Sequence, residues 1–253
     1  MEAVLYVGHG SRMKGAVDEA AHFINKAMKL VDTPIQEYCF LELSGPDIKE
    51  GVNNCVQRGA TSITVVPVLL LTAAHAKVDI PHTLNKVAVS HPDLKFTYGR
   101  PLGVQEKIID ALIERIKDRK IITNDMDILL VGRGSSDKDA VQDICTIAKL
   151  LKKRTHVNSV EVCFLAAASP RFEPKVKRAA KQGKKNVIIL PYLLFTGVLM
   201  TSIHKTVNEL SLSPEQSFIV SEYLGDHPNL YHLLKDRVFE ARKSCFTVDV
   251  KHS

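Results

Sequence analysis

The 253-residue sequence repeats itself at about half its length, and this repeat limits the folds open to the chain. The stretch VGHGSR, which begins at Val7, returns as VGRGSS at Val131, and the CFL of residues 39–41 returns 124 residues later. The offset between the copies falls to 123 at Ile80 and to 122 at Leu102. We expect these one-residue changes to lie in loops. The pattern predicts two similar domains that arose by duplication.

Each half alternates short apolar runs with longer segments of helical periodicity, which indicates a parallel sheet covered by helices on both faces. In the first half we predict strands at 3–7, 35–41, 62–67 and 95–98 and helices at 15–30, 47–57, 77–89 and 103–117. In the second half we predict strands at 127–131, 159–164, 187–192 and 218–221 and helices at 138–153, 172–182, 199–210 and 228–242. We therefore expect an α/β fold with domains at 1–120 and 121–253, facing a central cleft.

The repeat separates residues that maintain the fold from residues that carry chemistry, because only the former need to occur in both halves. The glycines of VGHGSR recur, which indicates a shared turn. Three polar residues at the predicted strand ends do not recur: His9, Glu42 and His75. Their equivalents in the second half are Arg133, Ala166 and Leu199. Ligands bind beyond the carboxyl ends of parallel strands, so we expect the three side chains to form one site.

Two imidazoles and a carboxylate suit a borderline divalent cation such as Fe²⁺, Co²⁺, Ni²⁺ or Zn²⁺. A single loop histidine is most often only solvated, and it is the combination of His9, Glu42 and His75 that indicates a site. The remaining histidines form no cluster with ligand spacing. We predict metal ligands or proton carriers at these three positions.

The sequence around these residues does not match the motifs of several other kinds of functional site. GHGSRMKG is not a dinucleotide-binding fingerprint, because Met13 replaces its third glycine, and the chain contains no G-x-x-x-x-G-K-[ST] phosphate loop. A histidine phosphatase would need an arginine where Gly8 precedes the histidine. The serines at the strand ends, Ser11, Ser44 and Ser135, lack a nucleophile elbow. A hydrolase or phosphatase is therefore disfavoured.

The charge of the chain is uneven, since residues 125–253 hold +5 of its net charge of +6. The basic runs KLLKKR and KVKRAAKQGKK lie on predicted helices, where a solvated outer face is the simpler interpretation and an anionic partner is the alternative. The five cysteines are widely spaced without a Cys-x-x-Cys pair, which favours buried apolar residues over disulfides, a structural zinc site or an iron–sulfur cluster.

The sequence shows neither a basic signal peptide at its start nor an apolar stretch of the roughly 18 residues that a membrane span requires. We expect a monomeric cytoplasmic protein that binds neither membrane nor nucleic acid.

Three motifs together resemble one known family. They are GHGSR at the first strand end, FLEL..P from Phe40, and P.LL..AAH...DIP from Pro67. In this combination they are similar to the class II chelatases, the cobaltochelatases and sirohydrochlorin ferrochelatases that insert a divalent metal into sirohydrochlorin. The resemblance covers essentially the whole chain, because longer members of that family are duplicated in the same way.

The resemblance implies a chelatase-like fold, no organic cofactor, active-site histidines at His9 and His75 and an active-site carboxylate at Glu42. Some longer cobaltochelatases carry a histidine-rich stretch near the C-terminus, whereas this chain ends FTVDVKHS. We therefore expect a ferrochelatase that forms sirohaem from sirohydrochlorin and Fe²⁺. Insertion of Co²⁺ or Ni²⁺ is one alternative, and a non-enzymatic carrier of metal or tetrapyrrole is another.

Sirohydrochlorin is fringed with carboxylates, which gives the basic second half an expected role in holding the substrate. Arg133 occupies the position of His9 and is the expected carboxylate contact, unless it pairs with Asp137 or Asp139. The other substrate-binding residues that we predict share the two glycine turns: Ser135, Ser136, Ser11 and Arg12.

Overall fold

The computed structural model describes residues 1–243, so the predictions that concern Cys245 and the chain beyond it lie outside the described residues. It confirms the α/β fold with two parallel sheets flanked by helices. The strands are β1 (Glu2–Gly8), β2 (Ile35–Phe40), β3 (Ser62–Val68), β4 (Lys95–Tyr98), β5 (Asp127–Gly132), β6 (Ser159–Phe164), β7 (Asn186–Tyr192) and β8 (Ser217–Val220). The α-helices are α1 (Lys14–Met28), α2 (Ile48–Gln57), α3 (Ile80–Ala88), α4 (Glu106–Lys117), α5 (Lys138–Thr155), α6 (Phe172–Lys181), α7 (Val198–Asn208) and α8 (Pro228–Arg242).

The two sheets have the same topology, with strand orders β2-β1-β3-β4 and β6-β5-β7-β8 and parallel pairing throughout. The central strand β1 is buried from Ala3 to Val7, which explains why it is apolar on both faces. Its last residue, Gly8, pairs with Phe40 of β2 and Val68 of β3. Because these strands end level with one another, the loops that follow them start from one edge of the sheet.

The chain forms two compact units, and each contains one sheet. Among the described residues, unit 1 comprises Met1–Gly103 and residues 230–243, and unit 2 comprises Val104–Asn229. The units differ from the predicted division at 1–120 and 121–253, because α4 groups with unit 2 and α8 with unit 1.

Two arginines explain this exchange of helices. Arg237 of α8 is 1% exposed and donates hydrogen bonds to the carbonyl oxygens of Pro101, at 2.8 Å, and Leu102 in unit 1. In unit 2, Arg115 of α4 donates to the carbonyl oxygen of Leu224 at 2.8 Å. The two arginines are 122 residues apart, as are the two leucines. The same contact therefore fixes a helix in each unit.

The described cysteines are free thiols, and three of them are buried as expected: Cys39, Cys55 and Cys163. Cys145 is partly exposed. In the part of the chain that the structure describes, every helix is too short or too polar to cross a membrane.

Candidate metal site

Backbone hydrogen bonds hold the first two strand-end loops of unit 1 together. The N–H of Leu41 donates to the carbonyl oxygen of Gly8 at 2.9 Å, and the N–H of Glu42 donates to that of His9 at 3.1 Å. Gly10 adopts a φ of 92°, and a Cβ atom at this position would lie 1.8 Å from the carbonyl oxygen of Glu42. Glycine is therefore required here, since no side chain fits between the loops.

The same arrangement occurs in unit 2. The N–H groups of Leu165 and Ala166 donate to the carbonyl oxygens of Gly132 and Arg133, at 3.0 and 2.8 Å. Gly134 has a φ of 93°, and a Cβ atom there would also lie 1.8 Å from a carbonyl oxygen, that of Ala166. The turn is thus common to both units, and the side chains displayed on it differ.

The third predicted ligand, His75, opens a π-helical turn, His75–Asp79, that leads directly into α3. The N–H of Ile80 donates to the carbonyl oxygen of His75, five residues back. Tyr98 donates a hydrogen bond from its hydroxyl to the carbonyl oxygen of Ala76 at 2.8 Å. Burial raises the pKa of Tyr98, so its hydroxyl keeps its proton and remains a donor.

The first change of offset between the repeats falls on this turn. Thr72 and Thr196 are 124 residues apart, whereas Ile80 and Ile203 are 123 apart, so the first half has one extra residue between these positions. The expectation that this change lies in a loop is wrong, because the segment includes the π-helical turn. The equivalent segment of unit 2 lies in the regular helix α7 from Val198 onward. Single-turn π-helices are frequent at functional sites.

The side chains of His9, Glu42 and His75 converge. The Nε2 atom of His9 lies 3.2 Å from Nε2 of His75 and 3.4 Å from Oε1 of Glu42. The two imidazole rings are nearly perpendicular, at 87°, with centroids 4.6 Å apart. One donor atom from each residue lies within 4.8 Å of the others, and no other such group of three or more His, Cys, Asp or Glu residues occurs among residues 1–243.

The cluster is accessible from outside the protein. The side chains of both histidines are 28% exposed and that of Glu42 is 48% exposed. Three protein donors that remain accessible leave coordination positions for another molecule, as catalytic metal sites do and structural ones do not.

Asp79 is a neighbour of the cluster for which we predicted no role. Its Oδ2 atom lies 2.8 Å from Nδ1 of His75, on the side of the ring opposite His9. The spacing of four residues in HAKVD is the sequence signal for this contact, because side chains four apart meet on a helix.

The predicted substrate-binding residues lie on the two glycine turns. The hydroxyl oxygens of Ser11 and Ser135 accept hydrogen bonds from the backbone two residues further on, at 3.1 and 3.0 Å. Arg133 is exposed, and both its expected contact with a substrate carboxylate and the alternative pair with Asp137 or Asp139 stay predictions. The other two side chains are also exposed: Arg12 and Ser136.

The fold and this cluster define a two-unit α/β protein that carries, in one unit, an accessible group of side chains of the kinds that bind metal ions. The sequence matches the CbiX family model twice, over residues 3–119 and 127–241, and the protein belongs to the CbiX family. The two matches, together with the relatives described next, confirm the prediction of a long, duplicated member of the class II chelatase family.

Relatives of similar length are known. Sirohydrochlorin ferrochelatase of Priestia megaterium is 48% identical over 239 residues, which cover 94% of this chain and 90% of that protein. Sirohydrochlorin cobaltochelatase of the same organism is 37% identical over 95% of this chain and 80% of its own length. The solved structure of SirB from Bacillus subtilis with Fe³⁺ has a TM-score of 0.89 and 41% identity, and covers 98% of this chain and 99% of that chain.

Proposed function

We propose that this protein is a metal chelatase that inserts Fe²⁺ into sirohydrochlorin to form sirohaem. The cluster of His9, Glu42 and His75 is the observation that carries the proposal. The similarity to a sirohydrochlorin ferrochelatase at 48% identity supports iron over cobalt, since the cobaltochelatase of the same organism is 37% identical.

The donor set suits a metal that is held briefly and then passed on. Two neutral imidazoles and one carboxylate bind Fe²⁺ through few ligands, whereas a closed four-ligand site would retain it. The accessible side of the cluster leaves coordination positions for the ring nitrogens of the tetrapyrrole. In the proposal, His9 and His75 hold the metal against one face of the macrocycle.

Insertion also releases two pyrrole N–H protons, which need an acceptor near the metal. Histidine is the side chain best suited to take up protons close to neutral pH. We assign proton uptake to the Nε2 atoms of His9 and His75, whose lone pairs become free as the metal passes to the ring nitrogens, with Glu42 as the carboxylate that orients His9 or relays its proton. The 3.4 Å distance between His9 Nε2 and Glu42 Oε1 supports this assignment.

Exposed apolar side chains near the site support a flat macrocycle as the substrate that binds together with the metal ion. Met13, Leu43 and Val78 lie close in sequence to the three site residues, and they are 38%, 48% and 59% exposed. In unit 2 the equivalent residues are polar or small: Asp137, Ala167 and Thr201. One apolar side chain of that region, Val198 at the start of α7, is exposed. Three exposed apolar side chains close in sequence to the site residues, against one in the equivalent segments of unit 2, suit contact with the ring of a tetrapyrrole.

We further propose that the substrate carboxylates bind to cations and hydroxyls of the glycine turns. Arg133 is the principal contact, and its exposed guanidinium is available for a bidentate bond. The remaining members of this set are Ser135, Ser136, Ser11 and Arg12. Replacing Arg133 with alanine is expected to raise the KM for sirohydrochlorin and to leave Co²⁺ affinity unchanged.

The rest of the proposal follows from the composition of the cluster. All three donors come from one chain, so we propose that a monomer can bind the metal. We also propose that insertion proceeds without an organic cofactor. Sedimentation of the active protein tests the first point, and turnover by protein that contains only its polypeptide tests the second. The cytoplasmic location stays a prediction.

The decisive experiment follows the absorbance of sirohydrochlorin mixed with Fe²⁺ under anaerobic conditions, with protein present at a small fraction of the substrate. We expect many turnovers per protein from the native chain. His9→Ala and His75→Ala should abolish them, while His204→Ala, a matched change of an exposed histidine on α7, should have little effect. A limit of one turnover per protein would establish a carrier instead of an enzyme.

The same assay distinguishes the metals. With Fe²⁺ and Co²⁺ present together, the spectra of the two products separate, and we expect iron insertion to have the higher kcat/KM. If Co²⁺ or Ni²⁺ is inserted faster than Fe²⁺, the function is cobalt or nickel insertion and not sirohaem formation. The assignment of the site residues is the same in either case.

A further inference from the structure

We propose that Asp79 is a positioning residue, which fixes His75 in the tautomer and orientation that present its Nε2 lone pair to the metal. This inference rests on the proposed function for its catalytic consequence. The contact itself is a property of the protein without metal.

The geometry requires one particular tautomer of His75. A carboxylate only accepts hydrogen bonds, so the 2.8 Å contact with Asp79 Oδ2 requires a proton on Nδ1 of His75. In a neutral imidazole the other nitrogen then has no proton. That nitrogen, Nε2, is the atom that lies 3.2 Å from Nε2 of His9. Asp79 therefore directs the lone pair of His75 toward the cluster.

A surface pair four residues apart on a helix would by itself be unremarkable in energy, because such pairs contribute only a few tenths of a kcal/mol. What distinguishes this pair is that the opposite edge of the same ring belongs to the metal cluster. Histidines that bind metals generally donate their second N–H to a carboxylate or carbonyl, and that partner sets the ring orientation.

The repeat provides independent support for the assignment. His75 and Asp79 belong to the π-helical turn of the segment where the first half has an extra residue. In unit 2 both side chains are replaced, by Leu199 and Ser202, and the backbone is a regular α-helix. The carboxylate, the imidazole and the π-helical turn are thus present together in one unit and absent together from the other.

One further contact ties the backbone of Asp79 to α3. The hydroxyl of Thr83 donates to the carbonyl oxygen of Asp79 at 2.9 Å, and Asp79 precedes the first turn of α3. The side chain is 46% exposed, so its replacement is not expected to unfold the unit.

The inference is tested first by spectroscopy on the full-length, metal-free protein labelled with ¹⁵N in its histidines. Long-range ¹H–¹⁵N spectra identify which ring nitrogen carries the proton, and the His75→Ala spectrum assigns the signals. We expect His75 to be protonated on Nδ1 in the native protein and in Asp79→Asn, whose amide oxygen can accept the same bond. In Asp79→Ala we expect a mixture of tautomers.

Co²⁺ binding and turnover measure the consequence. Loss of a carboxylate that orients a metal-binding histidine typically costs about 10- to 100-fold in metal affinity or activity. We expect Asp79→Ala to lose Co²⁺ affinity and kcat in this range with little change in the KM for sirohydrochlorin. Asp79→Asn should fall between this variant and the native protein, because it keeps the hydrogen bond and loses the charge.

A matched control is available in unit 2, where Oε2 of Glu114 lies 2.8 Å from Nε2 of His227. Glu114→Ala removes the same kind of partner and should leave both the tautomer of His75 and Co²⁺ affinity unchanged. The inference is overturned if Asp79→Ala keeps the Nδ1 proton of His75, or if it binds Co²⁺ as the native protein does.

The outcomes separate this inference from the proposed function. If the native protein turns over sirohydrochlorin while Asp79→Ala matches it in tautomer, Co²⁺ affinity and kcat, the chelatase proposal stands and the role of Asp79 fails. If the native protein gives no turnover while Asp79→Ala still shifts the tautomer and weakens Co²⁺ binding, the positioning role stands and the chelatase proposal fails.

Discussion

Replacement of Gly10 with alanine should disable the candidate metal site without changing any of its three proposed ligands. Gly10 follows His9 in a left-handed conformation, with a φ of 92°, and faces the backbone of the loop that carries Glu42. An alanine in this conformation costs about 1–2 kcal/mol for the backbone alone. The larger effect comes from the contact between the loops.

The structure gives the size of that effect. The added Cβ atom would lie 1.8 Å from the carbonyl oxygen of Glu42, and real Cβ contacts essentially never fall below 3.0 Å. The two loops must therefore separate by more than about 1 Å, and a misplacement of that size can cost about 100-fold in rate. Separation lengthens the 3.4 Å distance between His9 Nε2 and Glu42 Oε1. We expect at least this loss in kcat, together with weaker Co²⁺ binding.

Gly134→Ala is the matched control, because its φ of 93° and its 1.8 Å overlap with the carbonyl oxygen of Ala166 reproduce the same clash in unit 2. Urea unfolding should show similar losses of stability in the two variants. Co²⁺ titration should show weaker binding only in Gly10→Ala. Equal Co²⁺ affinity and equal kcat in the two variants, both folded, would refute the argument that the shared turn sets the distance between His9 and Glu42.

Three further predictions concern groups outside the cluster. Arg237→Met removes a buried cation and its ion pair with Glu240 and leaves the carbonyl oxygens of Pro101 and Leu102 without their hydrogen bonds, and urea unfolding should show a loss of about 2–6 kcal/mol, at about 1–3 kcal/mol for each buried acceptor left unpaired. The hydrogen bond from Lys175 holds the pKa of Glu161 below its usual 4.5, so this carboxylate stabilises the fold above that pH and loses its contribution as the pH falls through the folded pKa. Glu161→Gln should therefore be less stable than the native protein at pH 7, with a difference that vanishes in acid unfolding curves. Of the described cysteines, Cys145 should react first with iodoacetamide at pH 8, as peptide mass spectrometry can determine. Burial raises the thiol pKa values of the other three, Cys39, Cys55 and Cys163, and it raises those of Cys55 and Cys163 to about 12.

The helices and strands were predictable because each apolar strand is separated from the next by a segment of helical periodicity. The boundaries were less predictable where a single residue decides them. The helix predicted at 103–117 begins at Glu106 because Gly103 is left-handed and Gln105 is extended. The helix predicted at 77–89 ends at Ala88, and its first residues belong to the π-helical turn that periodicity cannot distinguish from an α-helix.

The exchange of α4 and α8 was not predictable from local sequence, because the apolar face of a helix does not specify which sheet it covers. Arg115 and Arg237 were the available signal. A cation within the apolar pattern of a helix, repeated at the offset of 122, indicates that a specific acceptor lies beneath it. Only the structure identifies those acceptors as the carbonyl oxygens of Leu224 and Leu102.

The three cluster residues were predictable because the second half lacks them, whereas Asp79 was not. An acidic residue four positions after a histidine is common on exposed helices, and its spacing alone does not reveal that the histidine belongs to a site. The stronger signal was the change of offset between Thr72 and Ile80. Because insertions are usually tolerated in loops, this change of offset does not by itself indicate a connection with His75.

The two units show how little change separates a site from a structural turn. Their backbone hydrogen bonds at the strand ends agree residue by residue, and their glycines approach the neighbouring carbonyl oxygen to the same 1.8 Å. The scaffold therefore places two side chains next to each other in either unit, whatever those side chains are. A third donor is a different matter, because it comes from the segment with the extra residue, where unit 1 has a π-helical turn and unit 2 a regular helix. Substitution at the positions of His9 and Glu42 supplies a pair of donors, and the segment of the extra residue supplies both His75 and the carboxylate beside it.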